Sequence, residues 1–239
     1  MQLGFVTALA DEARTLSIPD NENTRKRAHA IEISGVGIDN AARASLRLLE
    51  GGAEGLISWG TAGALDPQLL PGSLVIYDAT HTISGDAYRC DPAWCAKLFS
   101  ALSMLNPIEG SGFTSAHAIA STREKGAIRD QFHCAALDME SAAVGARASA
   151  AGVPFVAVRA IVDPADFDIP QTAISALAHG GEPRAWPVVR GLLRRPQELP
   201  ALLKLARWYR LSLANLTLAA TALQPDFGQI SATVLPTNI

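Results

Sequence analysis

The sequence predicts an α/β fold, a central sheet flanked by helices, and two observations carry that expectation. Apolar runs of strand length at residues 3–9, 56–59 and 155–162 alternate with stretches of helical character. These runs are continuous rather than alternating, as in strands covered on both faces. The 239 residues suffice for one sizeable domain and argue against a second complete one.

In order, residues 3–9 form the first strand, and Ala10-Asp11-Glu12-Ala13-Arg14 reads as a helix start with acids where the helix dipole favours them. That preference alone accounts for Glu12. Residues 19–27 are a polar loop, residues 29–34 a strand, and Gly35-Val36-Gly37 a turn into a helix over about 39–49. The glycines do not have dinucleotide-binding spacing, and Asp39 would repel a pyrophosphate. The strand over 56–59 ends in a loop, Gly60-Thr61-Ala62-Gly63. Asp66-Pro67 and Pro71-Gly72 are turns before a strand over 73–77. Asp91 caps a helix running to Met104, with Pro92 at its first position. Residues 113–119 form a strand. From Met139 to Ala151 small apolar residues form a helix, which Gly152 closes in the left-handed conformation and Pro154 cannot prolong. The strand over 155–162 follows. A helix-like stretch then runs to His179, closed by Gly180-Gly181.

The charges in this last part carry the chemistry. Glu140 opens a helix, Arg159 interrupts an apolar strand, and Asp163 stands at that strand's carboxyl end. Ligands of open α/β sheets bind outside the carboxyl ends. A buried arginine is costly unless it is paired or meets an anion, so a structural Arg–Asp pair and an anion site both stay open.

Composition narrows the classes. With 49% hydrophobic and 18% charged residues the chain is globular, and a net charge of −3 gives no argument for nucleic acid. Cys90, Cys95 and Cys134 lack metal-site or disulfide-framework spacing and read as reduced thiols. Asp11 and Glu12 cut short the first apolar run, so no signal peptide is expected. No run reaches the roughly 18 residues of a membrane span. The expected location is cytoplasmic. The basic charge is local, however: Arg184, Arg190, Arg194, Arg195, Lys204, Arg207 and Arg210 face only Glu182 and Glu198 between residues 182 and 210. A long helix is expected from about Pro200, with Leu199, Leu202, Ala206, Tyr209, Leu213, Leu216 and Ala220 on one apolar stripe. A basic amphipathic helix with Trp208 and Tyr209 suits the inner face of a membrane or packing against its own domain.

LDMESAAV followed by VPFVAVRAIVDPAD resembles the nucleoside phosphorylase and nucleosidase superfamily, whose members include purine nucleoside phosphorylases and methylthioadenosine/S-adenosylhomocysteine nucleosidases. GFVTALADEARTL, ISGVGIDNAARA and ISWGTAGALDPQLLPGSLVI agree in order, so the resemblance covers most of residues 3–166. The tail, with LLRRPQELPALLKLAR, is similar to that of the hopanoid-associated phosphorylases. The resemblance implies a three-layer fold with a mixed central sheet over residues 1–181 and a helical extension over 182–239 on the same domain. It implies cleavage of a purine N-glycosidic bond, with Asp163 as the leaving-group acid and Glu12 activating the nucleophile. Glu140 and Met139 then hold the ribose, with Ala62, Gly63 and Ile119 also against substrate, and Thr61 and Arg159 bind water or phosphate. No metal or organic cofactor is implied, only phosphate as a co-substrate, and phosphorolysis is slightly preferred because the hopanoid subgroup is described that way. The implied partner is a small or lipid-linked purine nucleoside such as adenosylhopane, and the implied assembly is a homo-oligomer, a dimer first.

Two departures matter. Trp59 stands near the place of a phosphate-binding arginine of one branch, and Ala118 stands where nucleosidases place an aromatic residue. His117 could contribute there, although such a histidine is more often structural. The other readings are a methylthioadenosine-type nucleosidase, a non-catalytic nucleoside sensor, and a flavodoxin- or Rossmann-like oxidoreductase. The last explains the glycine turns but not Glu12, Glu140 and Asp163 together.

Overall fold

The computed structural model describes residues 2–16, 29–177, 194–224 and 226–228. Expectations for the loop at 19–27, the glycine pair 180–181 and the basic residues Arg184 and Arg190 fall outside them. The strands are β1 (Leu3–Thr7), β2 (Ala30–Ile33), β3 (Gly55–Ala64), β4 (Leu74–Thr82), β5 (Ala87–Arg89), β6 (Ile108–Thr114), β7 (Ala136–Asp138) and β8 (Phe155–Ile161). The helices are α1 (Ala10–Leu16), α2 (Ile38–Glu50), α3 (Pro92–Ala101), α4 (Thr122–Phe132), α5 (Ser141–Ala151), α6 (Gln171–Leu177) and α7 (Leu199–Leu223).

The sheet is mixed, in the order β2-β1-β3-β7-β6-β4-β5, and β8 lies between β3 and β4. Strands β3, β7, β6, β4 and β8 therefore close a ring, from which β1 and β2 extend on one side and β5 on the other. The closure depends on two long strands changing neighbours. Leu3–Val6 of β1 run parallel to the first residues of β3, whereas the end of β3 turns to β7 through Gly63 and Leu137. Strand β4 pairs antiparallel with β8 over 74–76; a register irregularity between Tyr77 and Thr80 then brings it to β5.

Two boundaries differ from the sequence expectation. Gly60-Thr61-Ala62-Gly63 is the last part of β3, not a loop, because β8 pairs with it to Ala62 and β7 takes over at Gly63. The strand expected over 113–119 lies earlier, at Ile108–Thr114. Its glycines lowered the apparent strand preference, but one is needed for packing: a Cβ on Gly112 would stand 2.0 Å from the Tyr77 ring.

The caps follow the sequence. The Asp91 side chain accepts from Trp94 N, Pro92 opens α3, and Gly152 ends α5 at φ 68°. Helix α5 begins at Ser141, slightly later than expected, since Ala136–Asp138 pair as β7.

Helix α7 packs on α1, β8 and β3. Ser212 Oγ donates to Ile161 O (2.5 Å), Asn215 Nδ2 donates to Gly72 O (2.7 Å), and Trp94 Nε1 donates to Phe227 O (2.7 Å). The expected stripe holds only in part. Leu216 and Ala220 are buried, whereas Leu199 and Ala206 are exposed and Ser212, Ala219 and Leu223 are buried instead. The packed face belongs to the second half of the helix. Among the described residues no helix is long and apolar enough to cross a membrane.

Candidate active site

Three carboxylates expected from the sequence are buried around the carboxyl end of β3: Glu12 at 2% exposure, Glu140 at 5% and Asp163 at 7%. Glu12 reaches back from α1. Its Oε2 accepts from Ala8 N (3.1 Å) and Leu9 N (3.0 Å), and its Oε1 accepts from Thr61 N and Thr61 Oγ1, both at 2.8 Å. The helix-start preference and the site position thus coincide: the acid binds the backbone that leads into α1 and also crosses to β3. Trp59 secures the same helix, since its Nε1 donates to Thr15 Oγ1 (2.9 Å), which donates to Glu12 O (2.6 Å).

Arg159 is 1% exposed and meets both charge and hydroxyls. Its Nε lies 3.1 Å from Asp138 Oδ2 and its Nη2 3.9 Å from Glu140 Oε2. Nη2 also donates to Ser58 Oγ (2.7 Å) and Ser141 Oγ (2.8 Å). The Arg–Asp pair left open by the sequence exists, but with Asp138 rather than with Asp163. Asp138 was not singled out, although it lies in the LDME motif. Its Oδ1 accepts from Thr114 Oγ1 and from the backbone N–H groups of Glu140 and Ser141, which fixes the start of α5. Gly60 lets Glu12 and Arg159 approach each other across β3: a Cβ there would stand 2.7 Å from Arg159 Nη1 and 2.8 Å from Glu12 Cδ.

Glu140 is the residue before α5, and its Oε1 accepts from Gly37 N (3.0 Å) at the turn into α2. Burial pushes its carboxyl up, Arg159 pulls it down and Asp138 pushes it up again, leaving it at about 7. Glu140 therefore exchanges its proton near neutrality. Beside it opens a cleft of about 430 Å³ between residues 36–40, Arg43 and Ala116. Met139 is half-buried next to it.

Asp163 follows β8 and lies against Gly63. Its Oδ2 accepts from Lys125 Nζ at 2.6 Å. Burial raises its pKa and the Lys125 ammonium lowers it, with a net upward shift. Lys125 is a site residue the sequence did not reveal. Ala62 is buried within β3. Ile119 is buried in a small apolar cluster with Leu65, Phe113, Cys134 and Leu137. Ala118 is half-buried and His117 exposed.

Arranged in this way, the site gathers three buried carboxyl groups, the Thr61 hydroxyl and a buried guanidinium, a set able to bind hydroxyl groups and to exchange protons. A family model described as the phosphorylase superfamily matches residues 26–185. S-adenosylhomocysteine nucleosidase of Streptococcus pyogenes is similar at 23% identity and a TM-score of 0.64, over 80% of this chain and 94% of that one. Methylthioadenosine/S-adenosylhomocysteine nucleosidase of Neisseria meningitidis, in complex with methylthio-immucillin-A, is 19% identical, covers 92% and 96%, and has a TM-score of 0.68. Futalosine hydrolase of Helicobacter pylori is 15% identical, covers 93% and 96%, and has a TM-score of 0.70. These likenesses concern the fold.

Proposed function

Because the chain belongs to the phosphorylase superfamily, we propose that it cleaves the N-glycosidic bond of a purine nucleoside, with water as the acceptor and adenine as the leaving base. The observation that carries this reading is the burial of Glu12, Glu140 and Asp163 around one strand end. Cleavage builds positive charge on the sugar and negative charge on the purine, so each half needs its own electrostatic partner. Glu140 accepts from the ribose hydroxyls, with Met139 packing on the sugar. Glu12 and Thr61 orient the attacking water. Asp163 gives its proton to N7 of the purine as the bond breaks, a role typically worth about 10²–10⁴ in rate.

Water is favoured over phosphate because Nε and Nη2 of Arg159, the site's cation on this side, are already committed to Asp138, Ser58 and Ser141. Trp59 brings no second cation. The slight preference for phosphorolysis drawn from the resemblance thus gives way to hydrolysis. Adenine release from adenosine, methylthioadenosine and an adenosyl-lipid, with and without phosphate, tests both points. It is best run above the Glu140 pKa of about 7, where that carboxylate accepts hydrogen bonds. Free sugar at equal rates in both arms is expected. Sugar phosphate in the phosphate arm would reverse the choice of acceptor, and no adenine from any substrate would remove the activity.

A lipid-linked nucleoside such as adenosylhopane is a second reading, favoured by the outer face of α7. That 25-residue helix holds no acid. Its exposed Leu199, Leu203, Leu211 and Leu218 fall with Arg207 and Arg210 within about 120° of arc at 100° per residue, opposite the packed face. Apolar side chains mixed with cations suit an anionic bilayer surface, where each cation contributes about 1 kcal/mol. Salt-sensitive binding to anionic liposomes is expected. Arg207→Gln with Arg210→Gln should weaken it about tenfold or more while soluble nucleosides are still cleaved. Wild-type protein that ignores such liposomes at low salt would leave α7 as a packing helix.

A further inference from the structure

Lys125 occupies a place that folding alone does not favour. It lies in the first turn of α4, where the helix dipole repels a cation, and it is 1% exposed. An apolar side chain would fill such a position at lower cost. All three donors of its ammonium are used: on Asp163 Oδ2 at 2.6 Å, Pro164 O at 2.8 Å and Phe167 O at 3.1 Å. Two further bonds tie the same segments together, Thr122 N donating to Asp168 Oδ1 and Ile169 N donating to Ala120 O.

We propose that Lys125 is a positioning residue for Asp163: it fixes one carboxylate oxygen and the turn behind it, and it sets how readily the other oxygen releases a proton to the leaving base. This rests on the reading of Asp163 as the leaving-group acid. The charged groups around Asp163 are few. Helix α4 contributes Lys125, the turn after β8 contributes Asp166 and Asp168, and β3 presents Gly63. Asp168 is held by Thr122 N, and Lys204 of α7 lies over the Phe167 ring.

The sign of the effect follows. Burial holds the Asp163 proton on, and the ammonium opposes burial. A neutral residue at position 125 leaves burial unopposed. The acid then keeps its proton to higher pH and becomes a weaker donor.

The test compares wild type, Lys125→Met and Lys125→Arg by pH profiles of adenine release and by carboxyl NMR of ¹³C-labelled aspartate, with Asp163→Asn to assign the signal. In Lys125→Met both the Asp163 titration and the alkaline limb of kcat should move up by about one pH unit or more. The plateau should fall at least about tenfold. Lys125→Arg, which keeps the charge, should restore the limb. If Lys125→Met does not fold, Lys125→Gln carries the same comparison as a neutral donor. A folded neutral variant with an unmoved titration and an unmoved limb overturns the proposal and leaves Lys125 a structural clamp. Failure of the underlying reading shows elsewhere: wild-type protein that releases no base, or Asp163→Asn that releases it at wild-type rate, removes the acid and the role of Lys125 with it.

Discussion

Asp163→Asn is expected to lower kcat for nucleoside cleavage by at least about 100-fold with KM little changed. The amide has the size of the carboxylate and still offers an oxygen to Lys125 Nζ, so the turn behind it stays in place. What it lacks is an acidic proton, so the purine must leave as an anion without protonation at N7. The loss belongs to the transition state, because the ground-state contacts of sugar and base remain. Some stability is lost as well. The Lys125 ammonium, 1% exposed, keeps a hydrogen bond but loses its counter-charge, so the variant should melt below wild type yet remain folded by circular dichroism at the assay temperature. Turnover near the wild-type rate would remove Asp163 from the mechanism, whatever its position in the site.

The two acids proposed for the chemistry differ in how far the sequence exposed them. The position of Asp163 was legible because an apolar strand announces its own carboxyl end, where ligands of such sheets bind, but its role was legible only through resemblance. Glu12 was legible only through resemblance. An acid in the first turn of a helix has an ordinary explanation, and its bonds to Ala8 N and Leu9 N show that this explanation also holds. Lys125 was not legible at all. Helix α4 reads TREKGAIRDQF, and its one buried side chain is that lysine, so no apolar stripe betrays either the helix or the face it turns inward. Asp138 was hidden for a different reason: its partner Arg159 is 21 positions away on another strand, and strand pairing decides which acid an arginine meets.

The same limit applies to β3. A strand end is read from sequence where glycines begin, yet Gly60 and Gly63 are there because side chains crowd against them. Hydrogen-bond partners from β8 and β7 carry the strand on through GTAG. For α7 the heptad-like spacing was real but overstated the buried face. Its fully buried side chains, Ser212, Leu216, Ala219, Ala220 and Leu223, all lie in its second half, whereas in the first half Leu202 and Leu205 are half-buried and Leu199 and Leu203 exposed.

Arg159→Met is expected to be the most destabilising single change in the site. Methionine fills much of the same apolar volume, so the loss is electrostatic rather than a cavity. Without the guanidinium, Asp138 and Glu140 remain buried with no cation, and the hydroxyls of Ser58 and Ser141 lose their common donor. Breaking a buried pair by removing one partner typically costs about 3–5 kcal/mol. For a domain of this size, with a shift of about 2–4 °C per kcal/mol, Tm should fall by roughly 10 °C. The pH dependence separates this cause from simple loss of packing. Glu140 already has its pKa raised to about 7 by burial, with Arg159 opposing. Removing Arg159 raises it further, so the folded variant takes up a proton that the unfolded chain, near the ordinary glutamate value of about 4.3, releases over most of this range. Stability from that proton is fully present below the unfolded value and is lost as pH rises through the folded one. The Tm deficit of Arg159→Met should therefore widen above about pH 7, where wild-type Glu140 gives up its proton and the variant keeps it, and level off below about pH 6. A deficit of constant size across that range would assign the loss to packing, and the Arg159 cluster would not be the electrostatic keystone of the site.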